Sequence, residues 1–182
     1  MRIISGQYKG RRITAPKKLP VRPTTDMAKE ALFNILNNHY YFDEVSVLDL
    51  FSGTGSISYE FASRGTTEIT AVDENYSCVK FITETAKSFE MPIQPIKSDV
   101  FSYLEKAKTS STLIFADPPY AFTLKQFSKI PELIFKNELL EPEGLLIVEH
   151  SKLTDLSSLP QYSYSKHYGG NVFSFFEHAI ER

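Results

Sequence analysis

The stretch 45–55, VSVLDLFSGTG, joins an apolar run to a turn that contains two glycines. Apolar runs of this length are typical of buried strands, and glycines allow the tight backbone that a strand-to-helix turn requires. Residues 56–64 continue with a helical pattern that stops at Gly65, a residue suited to the end of a helix. The stretch therefore predicts a buried strand, a tight turn and a helix in immediate succession.

The same alternation continues toward the C-terminus. Alternating strands and helices are typical of a mostly parallel sheet covered on both faces, whereas two last strands without a helix between them are expected to pair antiparallel. The pattern predicts an α/β fold around a seven-stranded sheet with an antiparallel edge. Further strands are predicted at 68–72, 92–96, 112–116, 145–148, 161–168 and 172–180, and helices at 79–89, 100–106 and 124–138.

The chain is ordinary in size and composition but its charge is unevenly distributed. Its 182 residues suit one domain, and a single cysteine excludes a disulfide framework and a cysteine-based zinc site. No apolar run is long enough to span a membrane, so we expect a cytoplasmic protein. The net charge is −2, yet residues 1–22 hold seven of the 20 basic side chains and none of the 22 acidic ones.

This basic arm, residues 1–22, is predicted to form a β-hairpin followed by a proline-containing linker, and residues 23–182 form the main domain. Gly6 and Gly10 lie between two short β-prone runs, and a helix follows Thr24-Thr25-Asp26. Such a charge split indicates either a polyanionic partner, such as RNA, or merely a solvated tail. The candidate RNA-binding residues are Arg2, Lys9, Arg11, Arg12, Lys17, Lys18 and Arg22.

Acidic residues follow the glycine turn at the ends of successive predicted strands. Asp73 comes 20 residues after Gly53, where this kind of fold holds the ribose hydroxyls of a nucleoside, and Asp99 ends the next strand. A dinucleotide fingerprint needs a third glycine, but Ser58 stands there. Asp49, just before the turn, disfavours a pyrophosphate and favours a cation. The ligand that fits is S-adenosylmethionine, which carries an ammonium and a sulfonium and no phosphate.

A second motif, Asp117-Pro118-Pro119-Tyr120, follows the fourth apolar strand at the same edge of the sheet. Two prolines keep the backbone extended, so that the Asp117 carboxylate and the Pro118 carbonyl can accept both hydrogens of one planar amine. Tyr120 offers a flat face on which a base can stack. Outside this context the tetrapeptide would only indicate a proline-rich turn.

Together these residues resemble the class I S-adenosylmethionine-dependent methyltransferases, and more narrowly the RsmD family of bacterial small-subunit rRNA guanine-N2 methyltransferases. The resemblance covers nearly the whole chain and is most specific at 22–26, RPTTD, and 30–34, EALFN. It also includes RIISG at 2–6 and the pairs Tyr168-Gly169 and Phe175-Phe176. Met27 departs from the family pattern, which has a basic residue there; Lys29 is the nearest cation.

The resemblance implies a Rossmann-like fold, S-adenosylmethionine as the cofactor and no metal. It implies that Asp49 and the glycine turn surround the methionine end, that Asp73 binds the ribose and that Asp99 binds the adenine amine. Catalytic roles are implied for Asp117, Pro118, Pro119 and Tyr120. The full set of candidate cofactor-binding residues is Thr25, Asp49, Phe51, Ser52, Gly53, Thr54, Gly55, Asp73, Glu74, Ser98, Asp99 and Val100.

The expected reaction is therefore methyl transfer to the N2 amine of a guanine in small-subunit rRNA. The expected substrate is an assembled or partly assembled small subunit, and the expected enzyme is a monomer. Three alternative functions are also compatible with the sequence: an amino-methyltransferase that acts on adenine or on a protein glutamine, a nicotinamide-dependent oxidoreductase, and an RNA-binding module without catalytic activity. The absent third glycine and the Asp117 motif count against the oxidoreductase.

Overall fold

A computed structural model describes residues 1–21 and 24–180 of the chain. Arg22, a predicted RNA contact, and Pro23, the predicted start of the main domain, lie outside the described residues. Within the described ranges, none of the helices has the length and apolar character needed to cross a bilayer.

The described elements confirm the predicted α/β fold with a seven-stranded sheet. The helices are α1 (Asp26–Asn37), α2 (Ser56–Ser63), α3 (Tyr76–Phe89), α4 (Val100–Lys106) and α5 (Leu124–Lys136), with a short 3-10 helix at Phe42–Glu44. The strands are β1 (Ser46–Leu50), β2 (Glu68–Asp73), β3 (Ile93–Lys97), β4 (Ser111–Ala116), β5 (Leu140–Ser151), β6 (Tyr162–Tyr168) and β7 (Asn171–Phe176).

Three predicted strand boundaries were wrong by more than one residue: both ends of β5 and the end of β7. β5 runs from Leu140 to Ser151 rather than from 145 to 148, because Leu140 pairs with Ser111 and Ser151 pairs with Asn171. Between Leu140 and Leu145 the register shifts across extra residues of β5, so the strand continues past Pro142 and Gly144. β7 ends at Phe176 rather than at 180, because its pairing with both neighbouring strands stops there. In each case the neighbouring strand decides where the ladder runs.

The order of strands across the sheet creates a crevice beside β1. The order is β3-β2-β1-β4-β5-β7-β6, and only the pairs that involve β7 are antiparallel. From β1 the chain first moves outward through β2 and β3, and then returns to the other side of β1 with β4. Connections leave β1 and β4 in opposite directions, which opens a crevice at the carboxyl ends of these strands.

Alternate residues of the strands feed two cores, one on each face of the sheet. Val47 of β1 packs on the face covered by α1, α2 and α3, whereas Leu48 packs on the face covered by α4 and α5. Phe33 of α1 and Phe61 of α2 meet edge to face at 4.6 Å between ring centroids. Both faces are therefore closed, and the sheet is exposed to ligands mainly at its ends.

The basic arm packs on the main domain rather than extending into solvent. Its predicted strands are reduced to one antiparallel bridge between Arg2 and Arg12, but Ile3 and Ile13 are buried in the α1–α3 core. At the turn, a Cβ on Gly6 would lie 2.0 Å from the carbonyl oxygen of Ser63, so only glycine allows this approach. The solvated-tail interpretation was therefore wrong for the described part of the arm.

A buried charge cluster attaches the arm to α2. The Glu60 carboxylate accepts hydrogen bonds from the backbone amides of Ile4 (2.8 Å) and Ser5 (3.1 Å), and from Nε of Arg64 (2.8 Å). Lys29 lies 3.7 Å from Glu60 and donates to the carbonyl oxygen of Arg2 at 2.6 Å. Lys29 is 1% exposed and burial lowers its pKa, so it is a structural cation rather than a replacement for the missing basic residue at Met27.

We expect Glu60→Gln to lower the free energy of unfolding by about 1.5–3 kcal/mol, the usual worth of hydrogen bonds to a charged group. The variant keeps the shape of the side chain but removes the charge that faces Lys29 and Arg64. Urea unfolding measures the effect, with the exposed Glu84→Gln as the control. Equal midpoints for the two variants would contradict the role of Glu60 as the anchor of the arm.

Candidate functional site

A cleft of about 770 Å³ opens at the carboxyl ends of β1, β2 and β4, a size suited to a small-molecule ligand. The predicted site residues that contribute to its wall are Asp49, Phe51, Ser52, Gly53, Thr54, Asp73, Glu74, Asp99, Val100, Asp117, Pro118, Pro119 and Tyr120. The glycine turn, which ends at Gly55, and the motif that begins at Asp117 thus face one cavity. Gly55, Ser98 and Thr25 do not form part of the wall.

The glycine turn is held in place by the acid at the end of β2. One carboxylate oxygen of Asp73 accepts from the Gly53 amide at 2.9 Å, and the other accepts from the Asn75 amide at 2.9 Å. A carboxylate has about four acceptor positions, so Asp73 keeps capacity for the two hydroxyls of a ribose. Phe51 adopts a left-handed backbone (φ 55°), a conformation that non-glycine residues rarely hold and that often occurs at functional sites.

Asp49 is a buried acid at the base of the cleft. Only 1% of the residue is exposed, and its described partner is the Ser58 hydroxyl, which donates to Oδ2 at 2.6 Å. Burial raises the pKa of Asp49 to about 7, and the nearby Asp73 contributes in the same direction. A cation bound in the cleft would favour the ionised form, so the site has the electrostatic character that an ammonium group requires.

Three other candidate cofactor-binding residues have structural hydrogen bonds. Asp99 is the N-cap residue of α4, and its Oδ2 accepts from the Ser102 amide at 2.9 Å. The Ser98 hydroxyl donates to the Asp99 carbonyl at 2.8 Å. Thr25 is the N-cap residue of α1, and its hydroxyl accepts from the Ala28 amide at 3.2 Å, while its neighbour Thr24 lines the cleft. Asp99 therefore faces the cleft while it caps a helix, whereas direct contacts from Thr25 and Ser98 stay predictions.

The Asp117 motif forms the opposite wall. The Asp117 amide donates to the Leu50 carbonyl at 3.4 Å, which links the end of β4 to the end of β1. Tyr120 is 50% exposed at the rim, and its hydroxyl donates to Oδ1 of Asn171 at 3.0 Å. The motif therefore presents a carboxylate and a flat ring to the same cavity that the glycine turn borders.

Two aromatic residues near Asp99, Phe101 and Phe122, were not predicted from the sequence, whereas their neighbour Phe51 was. Phe122 stacks on Phe101 (5.9 Å between centroids, 19° between planes) and meets Phe51 edge to face at 5.6 Å. All three rings line the cleft, and Nζ of Lys129 lies 4.8 Å from the centroid of Phe101. These residues come from three separate segments, and no local pattern indicates that they meet.

A second residue at this end of the sheet that the sequence did not single out is Glu149. Its carboxylate is fully buried beside β7. It accepts from the Thr24 hydroxyl at 3.2 Å and from the Asn171 amide nitrogen at 3.2 Å. The only signal in the sequence was its place directly after the apolar part of β5.

Cys78 also lines the cleft, but burial raises the pKa of its thiol to about 11, so the thiol stays neutral at physiological pH. Among the described residues, no group of three or more His, Cys, Asp or Glu side chains is arranged to hold a metal ion.

The basic residues of the arm that the structure describes, at positions 2–18, do not form a single patch. Lys9 and Arg11 lie at the end of the sheet opposite the cleft. The turn of the arm contacts Ser63, the last residue of α2, and the Arg11 guanidinium lies over the ring of Phe89, the last residue of α3. Arg2, whose carbonyl accepts from Lys29, lies near the beginning of α2 and pairs with Asp26. Arg12 forms the bridge with Arg2.

Lys17 and Lys18 are exposed and come just before Pro20 and Val21, both of which line the cleft. The cleft itself has an acidic wall, with Asp49, Asp73 and Asp117 among its lining residues. The acidic ends of the strands can therefore bind a cationic nucleoside inside the cleft. Lys17 and Lys18 lie outside it, where they can bind a polyanion.

Comparisons with known proteins agree with this geometry. The family model described as "Conserved hypothetical protein 95" matches residues 1–177. "Putative rRNA methyltransferase YlbH" of Bacillus subtilis is 34% identical over 86% of this chain and 85% of its own length. "Ribosomal RNA small subunit methyltransferase D" of Escherichia coli is 28% identical over 88% and 79%, respectively.

The solved structure of "Putative methyltransferase yhhF" from Escherichia coli has the same fold, with a TM-score of 0.86, 25% identity and coverage of 98% of this chain and 99% of that one. The match to the family model and the relative at 34% identity confirm the resemblance found in the sequence. This chain therefore belongs to the family that the model describes, the RsmD family.

Proposed function

We propose that the protein transfers a methyl group from S-adenosylmethionine to the exocyclic N2 amine of a guanine in small-subunit rRNA. The observation that carries the proposal is the single cleft shared by Asp49, with its glycine turn, and the Asp117-Pro118-Pro119-Tyr120 motif. The relatives named as small-subunit rRNA methyltransferases support the RNA substrate.

The cleft residues fit the cofactor. Among the described residues, the partner of the buried Asp49 is the neutral Ser58 hydroxyl, and burial raises the pKa of Asp49; Asp73 and Asp99 each keep acceptor capacity at the ends of β2 and β3. When bound, S-adenosylmethionine supplies an activated methyl group on a sulfonium. Asp49 and the glycine turn would hold its methionine end, Asp73 its ribose and Asp99 its adenine amine.

Asp117 and the Pro118 carbonyl would accept the two N2 hydrogens of the guanine and direct the nitrogen lone pair at the methyl group. The nitrogen forms a bond to the methyl carbon as the bond from carbon to sulfur breaks, and one N–H proton then leaves to solvent. Positive charge develops on the nitrogen, so a preorganised carboxylate stabilises the transition state. Positioning of the two reactants supplies the rest of the rate enhancement.

The base must leave its stack to reach the cleft, which costs a few kcal/mol. Contacts between arm lysines and phosphates offset this cost and depend on salt. Lys17 and Lys18 are the best candidates, since the chain reaches the cleft wall two residues later. Lys9 and Arg11 lie at the end of the sheet opposite the cleft, so they would contact RNA only if the substrate extends around the domain.

We expect Lys17→Ala/Lys18→Ala to weaken RNA binding and to reduce the slope of log K against log salt by about 1 to 2, with S-adenosylmethionine affinity unchanged. Filter binding across a salt series measures the slope. The matched control is Lys106→Ala/Lys108→Ala, because these exposed lysines precede β4 at the opposite edge of the sheet. Equal slopes in the two double variants would contradict a role for the arm next to the cleft.

The function is tested with radiolabelled S-adenosylmethionine and small subunits from cells that lack this gene, followed by nucleoside analysis. Label in N2-methylguanosine is the expected result. Label in methyladenosine or in protein would support the alternative amino-methyltransferases and overturn the proposal.

We further propose that the substrate is an assembled or partly assembled particle and that the enzyme is a monomer. A parallel assay with naked rRNA tests the first point, and gel filtration tests the second. A ribosomal substrate also supports action in the cytoplasm.

A further inference from the structure

A chain of hydrogen bonds connects the end of β5 to the aromatic ring at the rim of the cleft. Glu149 is fully buried, and its Oε1 accepts from Nδ2 of Asn171 at 3.2 Å. On its other side, Oδ1 of Asn171 accepts from the hydroxyl of Tyr120 at 3.0 Å. The chain thus joins β5, β7 and the loop after β4.

The direction of each hydrogen bond follows from the chemistry of the groups. Both carboxylate oxygens of Glu149 accept, one from Asn171 and the other from the Thr24 hydroxyl, so the amide nitrogen of Asn171 faces Glu149. The amide oxygen must then face Tyr120, and the tyrosine hydroxyl must donate. The reverse orientation of the amide would bring its oxygen against a carboxylate oxygen. Glu149 therefore selects the orientation of Asn171 that can hold Tyr120.

The elements at the two ends differ in rigidity. Asn171 is the first residue of β7, where it pairs with Ser151 on one side and Tyr168 on the other. Tyr120 lies in the irregular segment between β4 and α5, and half of it is exposed. The hydrogen bond therefore holds the Tyr120 side chain in place relative to the sheet, although the segment that carries Tyr120 is not itself part of a strand.

We propose that Asn171, oriented by Glu149, is a positioning residue that holds the Tyr120 ring in the place where the target base stacks. The inference rests on the proposed function, because it concerns the base-binding half of the same cleft. The consequence is specific: loss of Asn171 lowers methyl transfer to RNA but leaves the cofactor half of the cleft intact. A small displacement of a positioned group is enough to reduce turnover strongly.

The test is a double-mutant cycle with Asn171→Ala, Tyr120→Phe and the two combined. Tyr120→Phe keeps the ring and removes only the hydroxyl, so it tests the hydrogen bond even if Asn171→Ala impairs folding. We expect each single variant to lower kcat for RNA methylation about 5- to 20-fold, with the RNA KM changed less than twofold because phosphate contacts dominate binding. The double variant should be no slower than the slower single variant, since both changes remove one hydrogen bond.

Tyr41→Phe, at a residue that is 75% exposed and remote from the cleft, is the control for loss of a tyrosine hydroxyl. The stoichiometry and affinity of S-adenosylmethionine binding should match wild type in every variant, which excludes a loss of folded protein. Multiplying effects in the double variant, or kcat within twofold of wild type in both single variants, would overturn the inference. If wild-type protein methylates no guanine, the proposed function fails first and this inference fails with it.

Discussion

Replacing Asp117 by alanine is expected to lower kcat for RNA methylation by about 10²–10³-fold or more, while S-adenosylmethionine binds as in wild type. The carboxylate belongs to the motif after β4 and not to the glycine turn or the base of the cleft, so its loss removes an acceptor for the target amine and should leave the cofactor half of the cleft unchanged. Removing one preorganised group of this kind from a transition state has an effect of this size in other enzymes.

Two further variants make the result specific. Asp117→Asn keeps one acceptor oxygen and should recover part of the activity, since the negative charge but not the hydrogen bond is lost. Glu84→Ala removes an exposed carboxylate on α3 and should have no effect. Single-turnover rates and calorimetric titration with the cofactor measure the two halves separately. A parallel loss of cofactor affinity in Asp117→Ala would contradict the division of roles between the two walls.

The second large effect is expected for Asp49→Asn, which should weaken S-adenosylmethionine binding about 10²-fold. Within the part of the chain that the structure describes, the neutral Ser58 hydroxyl is the partner of this buried carboxylate at the base of the cleft, and hydrogen bonds to charged groups are worth about 1.5–3 kcal/mol. Asparagine can still accept from Ser58, so the variant should fold. Asp43→Asn, at an exposed position in the 3-10 helix, is the control.

The affinity of the wild-type protein should depend on pH in a way that Asp49→Asn abolishes. The pKa of Asp49 lies at about 7 in the ligand-free protein, so the ionised form that attracts a cation is scarce at pH 5.5. Affinity should rise up to about tenfold per pH unit below 7 and level off above it. Titrations between pH 5.5 and 7.0 detect the rise while the cofactor amine, an α-amino group with a usual pKa of about 7.7–8.0, stays mostly protonated. A flat wild-type profile would contradict the assignment.

The stability of the ligand-free protein should change in the opposite direction. The folded state holds the proton of Asp49 more tightly than the unfolded state does. The protonated Asp49 therefore contributes to the free energy of unfolding; this contribution is fully present below about pH 3.8 and is lost as the pH rises through about 7. Asp49→Asn avoids this loss. Its gain in stability over wild type should grow between pH 4 and 7 and stay constant above, at no more than about 4 kcal/mol. Urea unfolding across this range measures it.

Local sequence determined much of the fold and half of the site. The glycines after β1 and the acids at the ends of β2 and β3 could be predicted, since a strand, a turn and a helix each leave a periodic signal within ten or so residues. The Asp117 motif could be predicted for the same reason. Its meeting with Asp49 followed from one further rule, that parallel strands end at the same edge of a sheet.

Contacts between distant segments could not be predicted in this way. Glu149, Asn171 and Thr24 meet because β7 runs antiparallel beside β5 and the Thr24 hydroxyl donates to Glu149. Likewise, the stable packing of the basic arm depends on Glu60, which reads as an ordinary helix residue in sequence. The raised pKa of Asp49 depends on burial, which the whole domain produces.

By itself, then, the sequence determined which chemical groups stand at the ends of the strands, because strand and turn signals are local. Only the tertiary structure decided which of these groups are buried, which face one another and which basic residues lie near the cleft. The physical reason is that desolvation and hydrogen-bond direction depend on neighbours in space, and those neighbours come from segments far apart along the chain.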